Sequence, residues 1–203
     1  MNPASIVLIG SAFAVIGSLV AAFGVYLGSA QDAKYSQHLL ASLTGGDSHP
    51  LITATLHDGS FFVSVAGKYP LHEVHGQIFD VFDLREKQAK DVNRLSPIPR
   101  AQIFEIGTLS SAYGSNLTNR ATGQQISIRD YNPRNSYRFM VHLYTRHHTF
   151  NFRLALEPRG QNKGGWHQAW QVFRDSEQVP MKQSIPNDFP MNADGEVDFC
   201  VFR

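Results

Sequence analysis

His142, His147 and His148 crowd one hairpin, and His72 and His75 lie three apart, so the first chemistry to weigh is metal binding. Zinc needs three or four convergent ligands on a rigid frame. Residues an odd number apart on an unbroken strand face opposite sides of the sheet, which separates His72 from His75. His147 and His148 sit in a turn, where polar side chains meet water. No metal site is expected.

Nucleophilic chemistry finds no better footing. Ser64, Ser110 and Ser127 lack the strand–turn–helix context of a nucleophile elbow. Cys200 is the only cysteine, which excludes an intrachain disulfide and a cysteine-based metal site. In an apolar terminal strand it reads as a small packing residue. Asp80 and Asp83 could pair as acid and base, but at a strand end they are expected to face water. The run Gly160-Gln161-Asn162-Lys163-Gly164-Gly165 shares only its glycines with a phosphate loop, lacking the Gly-Lys-Ser/Thr ending and the helix behind it. One polar row remains. Arg138, His142 and Tyr144 alternate along a strand face and, with Trp166 and Trp170, could line a small-ligand pocket; the plainer reading is the solvated side of a sheet. No catalytic, cofactor-binding or metal residue is assigned, and no enzyme activity is expected.

The elements that would position these residues divide sharply in composition. No charged side chain occurs before Asp32, so all 18 Lys and Arg and all 17 Asp and Glu follow the uncharged stretch from Ala4 to Ala30. At about 1.5 Å per residue, roughly 20 such residues cross a hydrocarbon core of about 30 Å. A cleaved signal peptide would carry a basic start and an apolar core of about 7–15 residues; neither is present, so residues 4–30 are expected to stay in the bilayer as an anchor. Gly10, Ala14, Gly17, Ala21, Gly24 and Gly28 recur at alternating spacings of four and three, which keeps them on one helical stripe. Small residues let helices approach closely in lipid, so this stripe suits a homodimer or a partner helix. Only Lys34, beside Asp32, lies close to the distal flank. That gives a slight preference for Met1 in the cytoplasm and the bulk of the chain beyond the membrane.

Beyond the anchor, Tyr35, Leu39 and Leu43 predict a short helix that ends at Gly45-Gly46. Strands are expected at Leu51–Leu56 and Phe61–Val65, joined by a turn at His57-Asp58-Gly59-Ser60, and then at Leu71–Phe82, where Val74, Ile78 and Phe79 break the alternation and imply a bulge. A charged run from Leu84 to Leu95 predicts a helix. Further strands follow at Gln102–Leu109 and Gln125–Arg129. Phe139, Val141 and Leu143 alternate in one strand and Phe150, Phe152, Leu154 and Leu156 in the next, a hairpin with one apolar face. Trp166–Phe173 adds a strand and Val197–Phe202 an edge. About eight short strands without crossover helices predict an immunoglobulin-like antiparallel β-sandwich, with a closed barrel as the competitor. The domains are thus residues 1–30, the transmembrane anchor; 31–49, a juxtamembrane helix and linker; and 50–203, the β-sandwich. A formal net charge of +1 offers no field for nucleic acid.

Thr44-Gly45-Gly46-Asp47-Ser48, followed by Gly67-Lys68-Tyr69-Pro70-Leu71-His72-Glu73-Val74 and Ile78-Phe79-Asp80, resembles a segment of uncharacterised bacterial single-pass membrane-anchored proteins. The resemblance implies an anchored β-rich domain in a bacterial inner membrane, with no activity or site attached. The function expected is a membrane-tethered protein-binding or scaffolding domain of the envelope, its protein partner unknown. The alternative is a membrane-anchored enzyme or small-ligand receptor with an unrecognised polar pocket.

Overall fold

The structure, a computed structural model, describes residues 26, 32–55, 59–90, 101–131, 134–159 and 165–199. All of segment 4–30 except Tyr26, with its small-residue stripe, lies outside the described residues, as do residues 160–164 and Cys200. Among the described residues, no helix is long and apolar enough to cross a membrane.

The chain separates into two units, Met1–Leu43 and Thr44–Arg203. In the first, a helix (α1) covers residues 32–44, as the spacing of Tyr35, Leu39 and Leu43 requires, and all three side chains are exposed. Gly45 and Gly46 end it with φ of +83° and +51°, a left-handed turn that a side chain would strain. The Ser48 N–H then closes the turn on the Gly45 carbonyl at 2.9 Å.

The second unit is two antiparallel sheets. Its strands are β1 (His49–Ala54), β2 (Phe61–Ala66), β3 (Leu71–Asp80), β4 (Gln102–Leu109), β5 (Ser115–Asn116), β6 (Tyr137–Tyr144), β7 (Thr149–Pro158), β8 (Trp166–Arg174) and β9 (Lys182–Ser184). The three-stranded sheet has the order β1-β2-β5 and the six-stranded sheet β4-β3-β6-β7-β8-β9. Period-two patterning explains the layers. Ile52 and Ala54 on β1, Phe61 and Val63 on β2, and Phe139, Val141 and Leu143 on β6 are all buried between the sheets. Phe61 meets the Phe139 ring edge-on at 4.9 Å, so the two sheets touch through aromatics. Pro50 lies on β1, an edge strand that tolerates the missing N–H.

The predicted β6–β7 hairpin is present, pairing Phe139 with Leu154 and Val141 with Phe152, and β8 extends it through Leu154 with Trp170. The predicted bulge is also present. Pairing of β3 with β4 slips on both sides of Val74, and Glu73 adopts φ of +57°.

Both flanks of the sandwich are stitched. On one, Asn116 pairs with Phe62 of β2, and Asn119, three residues on, bridges to Phe104 of β4. On the other, the Gln168 side-chain amide of β8 takes the place of a strand. Its Oε1 accepts from the Ala54 N–H at 3.0 Å and its Nε2 donates to the Ala54 carbonyl at 2.6 Å.

Three expectations need correction. The charged helix, α2 (Val81–Lys90), starts earlier than Leu84 because Asp80 caps it, Oδ1 accepting from the Phe82 N–H at 2.9 Å. Segment 125–129 forms only isolated bridges before a 3₁₀ turn, Ile128–Asp130, capped by Ser127. Val197 and Phe199 are not in a strand; they pack with Phe189 over Ala155 and Ala169, and β9 supplies the edge instead. The Asn192 Oδ1 accepts from the N–H groups of Asp194 and Glu196, a tight turn that breaks any extended approach to Val197.

Candidate functional site

The polar row and the two tryptophans do not converge. Register places Arg138, His142 and Tyr144 on the outer face of the six-stranded sheet, whereas Trp166 and Trp170 pack against the core on its inner face. Trp166 meets Tyr137 edge-on at 5.5 Å and Trp170 stacks on Phe152 at 5.6 Å. The five-residue pocket is therefore excluded by alternation across β6, β7 and β8. Arg138 is only 8 % exposed. It pairs with Glu157 and donates to the carbonyls of Tyr137 and Asp198, tying the covering C-terminal segment to the sheet. His142 Nδ1 lies against Asn151 Oδ1, and Tyr144 stacks on His75 at 5.5 Å.

The bulge also changes the histidine geometry. Leu71 and Val74 both point into the core, so His72 and His75 share the outer face rather than opposing one another. Each is engaged locally: His72 Nδ1 with Thr108 Oγ1 at 3.4 Å, and His75 Nδ1 with the Glu73 carbonyl at 2.9 Å. His148 lies 3.3 Å from Asp175. Asp175 accepts from the Thr149 N–H at 3.0 Å, which holds its carboxyl below the usual value. Among the described residues, no group of three or more His, Cys, Asp or Glu side chains is arranged to hold a metal.

Asp80 and Asp83 do not face water. The end of β3 and the first turn of α2 bury them, Asp80 to 1 % exposure. Arg134 approaches Asp80 Oδ2 at 3.5 Å, Asp83 at 2.9 Å and Glu86 at 3.2 Å, with its guanidinium 5.1 Å above the Phe82 ring. Asp80 Oδ2 is buried without a hydrogen bond among the described residues. Burial pushes the Asp80 carboxyl up to about 6, against the Phe82 N–H and the Arg134 charge, which favour the ionised form. Close by, the Tyr131 hydroxyl donates to the Ile78 carbonyl at 3.2 Å, and the Tyr137 hydroxyl accepts from the Arg134 N–H at 3.0 Å. Asp80 can keep a proton up to about pH 6, and Arg134 supplies the cation beside these carboxylates. Its structural role is to fasten α2 and the segment before β6 to the end of β3.

Two serines named above serve turns. Ser127 Oγ accepts from the Arg129 N–H at 3.2 Å and Ser110 Oγ from the Ala112 N–H at 3.2 Å. Sequence reasoning passed over Arg153, on β7. It faces outward between Met140 of β6 and Gln171 of β8, with its guanidinium carbon 4.2 Å from the centre of the Phe173 ring. Among the described residues it has no carboxylate partner, a feature shared with Arg174, whose Nη2 donates to the Gly46 carbonyl at 3.2 Å.

No protein-family model, no curated protein and no solved structure matches this chain.

Proposed function

We propose that the chain is a membrane-tethered domain that binds or positions another protein in a bacterial envelope, without catalysis of its own. The uncharged run from Ala4 to Ala30 carries the reading, because nothing in the following chain repeats it and it leads directly toward helix α1. The stripe of Gly10, Ala14, Gly17, Ala21, Gly24 and Gly28 would supply a helix-packing face for a second copy or another anchor. Resemblance of the Thr44–Ser48 and Gly67–Val74 segments to bacterial anchored proteins supports the envelope assignment. So does a rigid pair of packed sheets, a scaffold whose faces and edges commonly recruit proteins. The likeness to immunoglobulin domains is one of architecture. Three strands face six here, against four and three in the constant type.

A crosslinking pull-down from detergent-solubilised membranes tests the reading, comparing the full chain, the chain without residues 45–203, and the full chain with Gly17→Leu and Gly24→Leu. A partner should be enriched only when residues 45–203 are present. The Gly variants should lose self-crosslinking through the anchor and keep that partner. Identical capture by the chain lacking 45–203 would refute a binding role for the domain.

A further inference from the structure

We propose that helix α1 lies along the membrane surface, with Tyr35, Leu39, Leu40 and Leu43 seated at the boundary between lipid headgroups and acyl chains. This inference rests on the membrane-tethered reading above and adds a second, interfacial contact to the anchor.

Helix α1 presents apolar side chains outward. Tyr35 is 67 % exposed, Leu39 45 %, Leu40 62 % and Leu43 55 %. At about 100° per residue these four fall within an arc of roughly 140°. Lys34, Gln37, His38 and Ala41 occupy the other side. Asp32 and Ser36 interrupt the arc near the start of the helix, and from Gln37 onward only leucines fill it. An apolar arc of this width is broader than the two-position seam of a coiled coil. Residues 32–44 also hold fewer than two heptads, against the roughly three to four over which a coiled coil is sustained. The face suits a bilayer better than a matching helix.

What covers the face follows from the chain before it. The uncharged run ends at Ala30, just ahead of Asp32, where the description of α1 begins. A run seated in hydrocarbon delivers α1 to the headgroup layer, about 5–7 Å thick on each side of the bilayer. Leu43 follows Ala30 by 13 residues, a distance of about 20 Å along a helix at about 1.5 Å per residue. A helix directed away from the bilayer would carry Leu39, Leu40 and Leu43 past the headgroups into water. A helix lying along the surface returns all three to an apolar phase. Tyr35 suits that boundary, with an apolar ring and a hydroxyl that reaches the headgroups. Asp32 and Lys34 offset one another, so the contact is with acyl chains rather than with anionic headgroups. The left-handed turn at Gly45 and Gly46 ends the helix directly after the last leucine, and the face is complete within α1.

The test places the full chain, with Cys200→Ser, in phosphatidylcholine vesicles and attaches a nitroxide to one introduced cysteine at a time. Labels at Leu39→Cys and Leu43→Cys should collide more with oxygen than with a water-soluble nickel chelate. Labels at Lys34→Cys and Gln37→Cys should show the opposite preference. The pattern should persist when phosphatidylglycerol is mixed into the vesicles. Leu39→Gln combined with Leu43→Gln should turn a Leu40→Cys label from oxygen toward nickel while the chain stays in the bilayer. Nickel access at Leu39 and Leu43 equal to that at Lys34 and Gln37, in a chain that resists an alkaline wash, would overturn the interfacial helix and leave the anchor standing. Low access to both reagents at Leu39 and Leu43, or spectra broadened by a second nitroxide, would do the same by placing protein over the face. A lipid-facing pattern that arises only with phosphatidylglycerol would count against the acyl contact. Release of the chain by the wash would refute the anchor and this inference together.

Discussion

Burial lifts the Asp80 carboxyl to about 6 while its Oδ1 caps α2 through the Phe82 N–H. The folded state therefore holds this proton more tightly than the unfolded chain, whose ordinary value is 3.8. Asp80 favours folding most below that value, and its contribution decays as pH rises to about 6. Asp80→Asn keeps a capping oxygen and removes the titrating charge, so the variant should gain stability relative to wild type as pH is raised from 4 to 7. Asp80→Ala loses the cap as well and should cost about 1 kcal/mol relative to Asp80→Asn at any pH in that range. Urea midpoints for the three proteins at pH 4 and 7 measure both effects; parallel shifts of wild type and Asp80→Asn would refute the titration. The cap was partly legible in the sequence, since an Asp ahead of a charged run is a helix-start signal. Val81 and Phe82 conceal it because they prolong the apolar pattern of the strand. The ion cluster was not legible, because Arg134 lies 51 residues after Asp83.

Strands β3 and β6 approach so closely that Gly76 has no space for a side chain: a Cβ there would lie 2.1 Å from the His142 carbonyl oxygen. That oxygen belongs to the backbone of a central strand and moves only if the β3–β6 ladder opens. Gly107, opposite the bulge, presents the contrasting case, with φ of +81° and nothing within 4 Å of its would-be Cβ. Gly107→Ala should cost only backbone strain, about 1–2 kcal/mol, whereas Gly76→Ala should cost about 3 kcal/mol or more. Chemical denaturation orders the two, and an equal or inverted order would show that the ladder yields. At this scale the apolar strands were readable, because β6 and β7 alternate over a full strand length and bury every second residue. The bulge announced itself by breaking alternation at Val74. Strands β5 and β9 left no such trace: Ser115-Asn116 and Lys182–Ser184 are too short and too polar to show a period. Val197 and Phe199 carried an apolar signal with the wrong partner, covering the sheet's outer face instead of joining its edge.

For the whole molecule, the change at Asp32 from an uncharged sequence to a mixed one remains the guide to placement. A reporter active only in the periplasm and another active only in the cytoplasm, each fused after Arg203, should give signal from the periplasmic fusion alone. The reverse pattern would put the sheets on the cytoplasmic side and send the partner search there. The sequence indicated antiparallel sheets with one apolar face and left a two-layer sandwich and a closed barrel both open. It did not reveal how the layers are closed, because closure depends on single residues far apart, such as Asn119 against Phe104 and Gln168 against Ala54. The Gln168 stitch has a consequence for synthesis. Ala54 leaves the ribosome 114 residues ahead of the side chain that satisfies its backbone, an interval of roughly 6–23 s at about 5–20 residues per second. Through that interval β1 and β2 amount to a hairpin with an open edge, a structure of marginal stability in water. Nascent chains stalled before Gln168 should therefore be the form most readily held by a chaperone, since the Gln168 amide completes the flank begun by the first strand.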